Sequence, residues 1–118
     1  MKIIHKNDVE PKVPQMDGLK GVKLRVMVDD SDGAPNFALR VFDLDPGGNT
    51  PYHTHAWEHE VYVLSGSGYV KRETDTVDIS AGTALFVQGD EWHGFVAGDD
   101  GLEFICVIPV EEKCCVDK

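Results

Sequence analysis

Four histidines in two separate stretches carry the chemistry available to this chain. His53, His55 and His59 fall within His53-Thr54-His55-Ala56-Trp57-Glu58-His59, and His93 stands alone in Asp90-Glu91-Trp92-His93-Gly94-Phe95. Neutral imidazole is the commonest metal-binding side chain. Side chains alternate along extended backbone, so His53 and His55 point to one side. A bend over residues 56–58 returns His59 to that side at the start of the next strand, while His93 must arrive from a distant strand. Four imidazoles suit borderline divalent metals: Zn, Fe, Ni, Cu and, less strongly, Mn. Taken alone, the cluster admits two readings, a specific metal site or an exposed patch with adventitious affinity. His5 sits in a polar N-terminal segment and reads as solvated.

The elements around these histidines read as short strands. Val22, Leu24, Val26 and Val28 alternate with Lys23, Arg25 and Met27, the period of a half-buried strand. The turn cluster Asp29-Asp30-Ser31-Asp32-Gly33 ends that run. Phe37 to Leu44, Glu60 to Leu64, Tyr69 to Glu73, Thr76 to Ile79, Ala84 to Val87, His93 to Ala97 and Glu103 to Val110 follow. The breakers Asp45-Pro46-Gly47-Gly48-Asn49 and Ser65-Gly66-Ser67-Gly68 separate them. About eight or nine strands roughly ten residues apart, with no helical stripe longer than two turns, indicate an all-β sandwich or barrel. Closed or double-sheet β folds hide their edges and suit this size.

Length and charge bound the function. A chain of 118 residues is one domain. It carries 11 basic against 21 acidic residues, a net charge of −10, which argues against nucleic acid and anionic membrane surfaces. The apolar runs are too short to span a bilayer. Met1 to Glu10 has scattered charges and no apolar stretch, so no signal peptide is expected and the cytoplasm is the default compartment. Cys106, Cys114 and Cys115 are an odd number and form no disulfide framework; Cys114-Cys115 reads as a pair of free thiols in a charged tail. The expected division is an N-terminal arm over residues 1–15, a barrel over 16–112 and a tail over 113–118. The arm is either loose or an edge strand that pairs with a second subunit.

The glycine spacing around the histidines resembles the two motifs of the cupin family. The first motif is Gly, five residues, His-x-His, three or four residues, Glu, six residues, Gly. Here Gly47, five residues, His53-Thr54-His55, three residues, His59, six residues and Gly66 match it, with His59 at the glutamate position. The second motif is Gly, five residues, Pro-x-Gly, two residues, His, three residues, Asn. Gly82, Gln88-Gly89-Asp90, His93 and Ala97 follow it in spacing, with Gln88, Asp90 and Ala97 replacing the family's Pro, Gly and Asn. The resemblance implies an all-β double-stranded β-helix, or jelly-roll barrel, in one domain. It implies one divalent metal held by His53, His55, His59 and His93, with Mn or Fe foremost and Ni, Zn or Cu as alternatives. Small cupins with a four-histidine site are similar over His53 to Gly66. The family spacing also admits Glu60 as the fourth ligand, although on a strand it points away from His59.

Four neutral histidines leave a divalent site with two positive charges, where three with one glutamate leave one. Such a site attracts anionic or enolate oxygens. The first functional expectation is a small metal-dependent oxidoreductase, dioxygenase-like, acting on an oxygen-chelating small molecule. The alternatives are a non-catalytic small-molecule-binding module and an isomerase or lyase working through an enediolate. The family's habit implies a homodimer. Protons compete for imidazole, so metal loss is expected below about pH 6. Trp57 is a candidate for the pocket rim. Phe104, Cys106 and Ile108 share one strand face and are candidates for the pocket wall. Phe42, Phe86 and Phe95 read as core, Trp92 as packing away from the metal, and residues 71–75 as a charged hairpin tip. Glu58, Glu60 and Asp90 read as solvated charges, which leaves the general base unassigned.

Overall fold

The computed structural model describes residues 1–110. Cys114, Cys115 and the tail expected over 113–118 lie outside the described residues. Six antiparallel strands follow in order: β1 (Lys20–Val28), β2 (Phe37–Asn49), β3 (His59–Lys71), β4 (Thr76–Ser80), β5 (Ala84–Val87) and β6 (Gly94–Pro109). They pair in the order β1-β2-β6-β3-β4, with β5 on the N-terminal half of β3. This is the jelly-roll architecture of the double-stranded β-helix. Two single 3₁₀ turns, Lys6–Asp8 and Asp30–Asp32, are the helical elements among the described residues. The second is capped by Asp29 and closed by Gly33 at φ +83°.

The strand count is lower than expected because two presumed turns are bulges inside long strands. Glu60–Leu64 and Tyr69–Glu73 merge into β3, and His93–Ala97 and Glu103–Val110 merge into β6. The β3–β6 register slips between Val63 and Ser65 and again between Gly66 and Gly68. Gly66 and Gly101 face each other there with φ of +82° and +78°. A bulge inserts unpaired residues and bends the strand without ending it, which lets a long strand pass from one side of a barrel to the other. Gly47 and Gly48 behave similarly in β2, whose pairing to β6 slips between Leu44 and Asn49.

The core lies between the curved layers. Leu24, Leu44, Val63, Leu102, Phe104, Cys106 and Ile108 are fully buried. Phe104 stacks on Phe42 at 5.2 Å and meets Phe95 at 4.7 Å between ring centroids. Phe42 and Phe95 are core, as read from the sequence. Phe86 is not: it is 61% exposed on the outer face of β5. The hairpin tip expected at residues 71–75 joins β3 to β4 and is clasped by an Arg72–Asp75 ion pair.

The N-terminal arm lies against its own barrel. Lys12 and Leu24 exchange both backbone hydrogen bonds, at 2.8 and 2.7 Å, so within one chain the arm pairs with the edge of β1. Arg25 donates to the Val9 carbonyl, Lys2 pairs with Asp32, and Lys6 pairs with Glu103. His5 accepts a hydrogen bond from the Asn7 amide. No helix among the described residues is long and apolar enough to cross a membrane.

Candidate metal centre

Two backbone segments are clamped together to assemble the histidines. The His53 amide donates to the His93 carbonyl and the His93 amide to the His53 carbonyl, both at 3.0 Å. The Thr50 amide donates to the Phe95 carbonyl at 2.9 Å, and the Phe95 amide to Thr50 Oγ1 at 2.8 Å. The Asp90 amide donates to the His55 carbonyl at 2.7 Å. His93 therefore arrives at the entry of β6, and His59 opens β3 after a bend at residues 56–57. Asp90 has φ +67°, the left-handed region. Asp tolerates that region better than most residues, which accounts for Asp90 at a position the cupin motif gives to glycine. Gly89 is needed as glycine, since a Cβ there would lie 2.4 Å from the Ala56 carbonyl oxygen.

The four imidazoles converge. The His93 ring centroid lies 4.9 Å from His53, 5.0 Å from His55 and 4.9 Å from His59, and His55 and His59 are 5.1 Å apart. One ligand atom from each of His53, His55 and His93 lies within 4.8 Å of the other two. The fourth ring, His59, places its Nε2 3.2 Å from His93 Nε2. His59 and His93 are buried, His53 and His55 half-buried.

Hydrogen bonds fix which ring nitrogen faces inward. His53 Nδ1 lies 2.9 Å from the Pro51 carbonyl, His55 Nδ1 2.9 Å from the Trp57 carbonyl, and His93 Nδ1 2.7 Å from the Glu91 carbonyl. A carbonyl only accepts, so each of these Nδ1 atoms carries the proton and each Nε2 the lone pair. Metal-ligating histidines are held by this kind of outer contact. His59 differs, because its Nδ1 faces Cys106 Sγ at 2.9 Å. A thiol can donate or accept. If it donates, His59 Nε2–H donates to His93 Nε2. If it accepts, two lone pairs meet at 3.2 Å, an arrangement that a cation between them relieves. The donor set, neutral imidazoles with anchored Nδ1 atoms, thus fits a divalent transition metal.

Burial above all, then the neighbouring His93, His55, Arg40 and His53, pushes the His59 pKa down from 6.5 to about 2. The ring stays neutral, as a ligand must, and His59 itself does not compete for protons near pH 6. In the unfolded chain it does. Below pH 6.5 the unfolded state binds a proton that the folded state refuses, so stability falls as pH drops from about 6.5 toward about 2. Metal-free protein should lose about 1.4 kcal/mol per pH unit from this residue once below pH 6. His59→Gln should flatten that slope in urea melts at stepped pH. An unchanged slope would place the cause elsewhere.

The cavity beside the rings holds about 30 Å³. Phe104 and Cys106 line it, as expected from their strand face. Ile108, on the same face two residues on, does not; it is buried in the core cluster. Trp57 stacks flat on His55, one of the lining residues, at 4.3 Å, and its buried Nε1 has no hydrogen-bond partner among the described residues. Trp92 stacks outside on Tyr52 at 5.3 Å. Glu60 points outward and is exposed. The Glu58 carboxylate beside it holds its carboxyl above the usual range. Sequence reasoning missed Arg40, Thr50 and the wall role of Phe42 and Phe95. The signal for Arg40 was present: it occupies an inward position between Ala38 and Phe42, where period-two alternation predicts an apolar residue.

Residues 40–108 match the Cupin domain family. The chain is 34% identical over 84 residues to dimethylsulfoniopropionate lyase DddW of Ruegeria pomeroyi, covering 70% of this chain and 55% of that protein. It is 30% identical over 74 residues to 1-methylthio-D-xylulose 5-phosphate methylsulfurylase of Rhodospirillum rubrum, covering 62% and 47%. The chain thus spans about half the length of these curated relatives. Among solved structures it is similar to the polyketide cyclase RemF of Streptomyces resistomycificus, with a TM-score of 0.88 and 38% identity over 93% of this chain and 80% of that one.

Proposed function

The chain belongs to the cupin family, and from that premise we propose that it is a metal-dependent enzyme acting on a small oxygen-bearing substrate by stabilising an enolate. The observation that carries this reading is the inward convergence of imidazoles whose Nδ1 atoms are tied back, in a cavity on whose wall no carboxylate stands among the described residues. In this reading His53, His55, His59 and His93 are the four ligands. An all-imidazole set favours Fe, Ni, Zn or Cu over Mn on affinity.

When bound, the divalent ion supplies Lewis acidity to a substrate carbonyl or enolate oxygen. The protein's share is positional. The carbonyls of Pro51, Trp57 and Glu91 hold three rings in one tautomer, and Cys106 Sγ meets Nδ1 of the fourth. Phe42, Phe95 and Phe104 keep the wall dry, which strengthens electrostatic contacts inside. Glu58, Glu60 and Asp90 do not line this cavity.

The relatives named above are a lyase, a methylsulfurylase and a cyclase, and these favour enolate chemistry over the dioxygenase reading. Metal analysis of untagged protein, followed by solvent deuterium exchange into candidate keto-acids and oxygen uptake, tests the choice. Exchange without oxygen consumption is expected. Oxygen consumption coupled to substrate loss would restore the dioxygenase reading. A ligand that raises the melting temperature with neither exchange nor uptake would make the chain a binding module.

A further inference from the structure

We propose that the cleft between the edges of β4 and β5 binds the uncharged apolar body of the small molecule whose oxygen-bearing head lies at the metal centre. The proposal rests on the enolate reading above for the head, and on the cleft alone for the body.

β5 pairs with residues 59–62 of β3 and β4 with residues 67–71, on either side of the bulge at Gly66. Alternation puts Val77 and Ile79 on one face of β4, and Leu85 and Val87 on one face of β5. These four, with Val70 as the cross-strand partner of Val77, line a cleft of 250 Å³. Val70, Ile79 and Val87 are buried, whereas Val77 is 39% exposed and stands at the mouth. The turn after β4 closes one end: the Gly82 amide donates to the Val63 carbonyl and the Val63 amide to the Thr83 carbonyl, both at 2.9 Å. Arg72, Glu91 and His93 stand at the other end.

His93 also lines the cavity beside the rings, so the two spaces share a wall. That cavity's 30 Å³ is about the share of one water molecule in the liquid. It takes a head and no more, and the cleft adjoins it. An apolar cavity of about 150 Å³ takes benzene, so the larger cleft takes a hydrocarbon body of about six to eight carbons. The two charged side chains among the described lining residues are of opposite sign, and both are engaged. Arg72 Nε and Nη2 donate to Asp75 at 2.7 and 2.6 Å, and Glu91 Oε1 accepts from the Gln88 amide at 3.1 Å. A charged group would exchange its hydration for aliphatic carbon there, whereas a neutral apolar one gains by leaving water. The class of ligand is a hydrocarbon chain or ring joined to a chelating oxygen head.

Two probe series test this. On metal-free protein, 1-butanol, 1-hexanol and 1-octanol are titrated while methyl carbon–proton spectra are recorded. The methyls of Ile79, Leu85 and Val87 should move saturably, and affinity should rise about fourfold per added methylene. On nickel-loaded protein, aliphatic hydroxamic acids chelate the ion through both oxygens, and calorimetry should show the same rise from acetohydroxamate to hexanohydroxamate. Val77→Trp, which fills the mouth, should flatten both series. Cleft methyls that stay still with both series, or a chain-length dependence that survives Val77→Trp, would overturn the proposal and leave the metal reading standing. Alkanols that fill the cleft while hydroxamate affinity ignores chain length would also overturn it, because the body would then bind apart from the head. Alkanol binding with the expected methyl shifts, in a protein that takes up no nickel, would uphold the cleft and sink the metal reading. If Val77→Trp does not fold, Leu85→Phe replaces it, and the wild-type spectra judge by the same criteria.

Discussion

His93→Ala is expected to purify with almost no bound metal. Its ring is the hub of the cluster, within about 5 Å of each of the other three centroids. Losing an outer contact to a metal ligand typically costs 10–100-fold in affinity, so loss of the ring itself should cost at least about 100-fold. Elemental analysis and chelator competition measure it. His59→Ala separates a three-ring site from a four-ring one. His53, His55 and His93 meet within 4.8 Å without it, so unchanged affinity in that variant would leave His59 as a neighbour and not a ligand. A fall comparable to that of His93→Ala supports four ligands. Full metal loading of His93→Ala would remove the basis for the centre altogether.

Gly66→Ala should cost about 3 kcal/mol or more, a fall of roughly 10–20 °C in melting temperature for a domain of this size. Two effects add. The φ of +82° is strained for any residue with a Cβ. That Cβ would also lie 2.2 Å from the Gly101 carbonyl oxygen, which is backbone and cannot swing away. The bulge would open, and with it the register by which β3 carries His59 and β6 follows His93. Gly33→Ala is the control, since φ is +83° there but a Cβ would meet nothing within 4 Å. It should show the strain alone, about 1–2 kcal/mol. Equal losses at the two sites would mean that the close approach contributes nothing.

Much of the site was legible before any coordinates. Imidazole is a poor choice for a core and an unusual one in runs, so His53, His55 and His59 stand out by type, and the resemblance of the glycine spacing to the two cupin motifs ties His93 to them. The bend at residues 56–57 and the buried face of Phe104 and Cys106 also follow from local rules. The long strands did not. Glycine and serine at residues 65–68 have the same composition whether they reverse the chain or bulge it, and only pairing with β6 distinguishes the two. Phe86 was misread for a related reason: hydrophobicity says that a ring prefers burial, not which side of a two-sided strand is covered.

The chain's own residues thus determine an antiparallel β domain with metal-type donors in a fixed order, because alternation, turn residues and ligand chemistry act over a few positions. Tertiary structure decides what the local rules leave open: it brings the His93 ring to the other three and sets a sulfur 47 residues away against His59 Nδ1, whereas the Nδ1 contacts of His53, His55 and His93 go to carbonyls only two residues off. It also turns Arg40 from an oddity in an apolar strand into the cation on the cavity wall. Long-range pairing places these groups within hydrogen-bond reach, and no local pattern encodes a distance between residues so far apart in the chain.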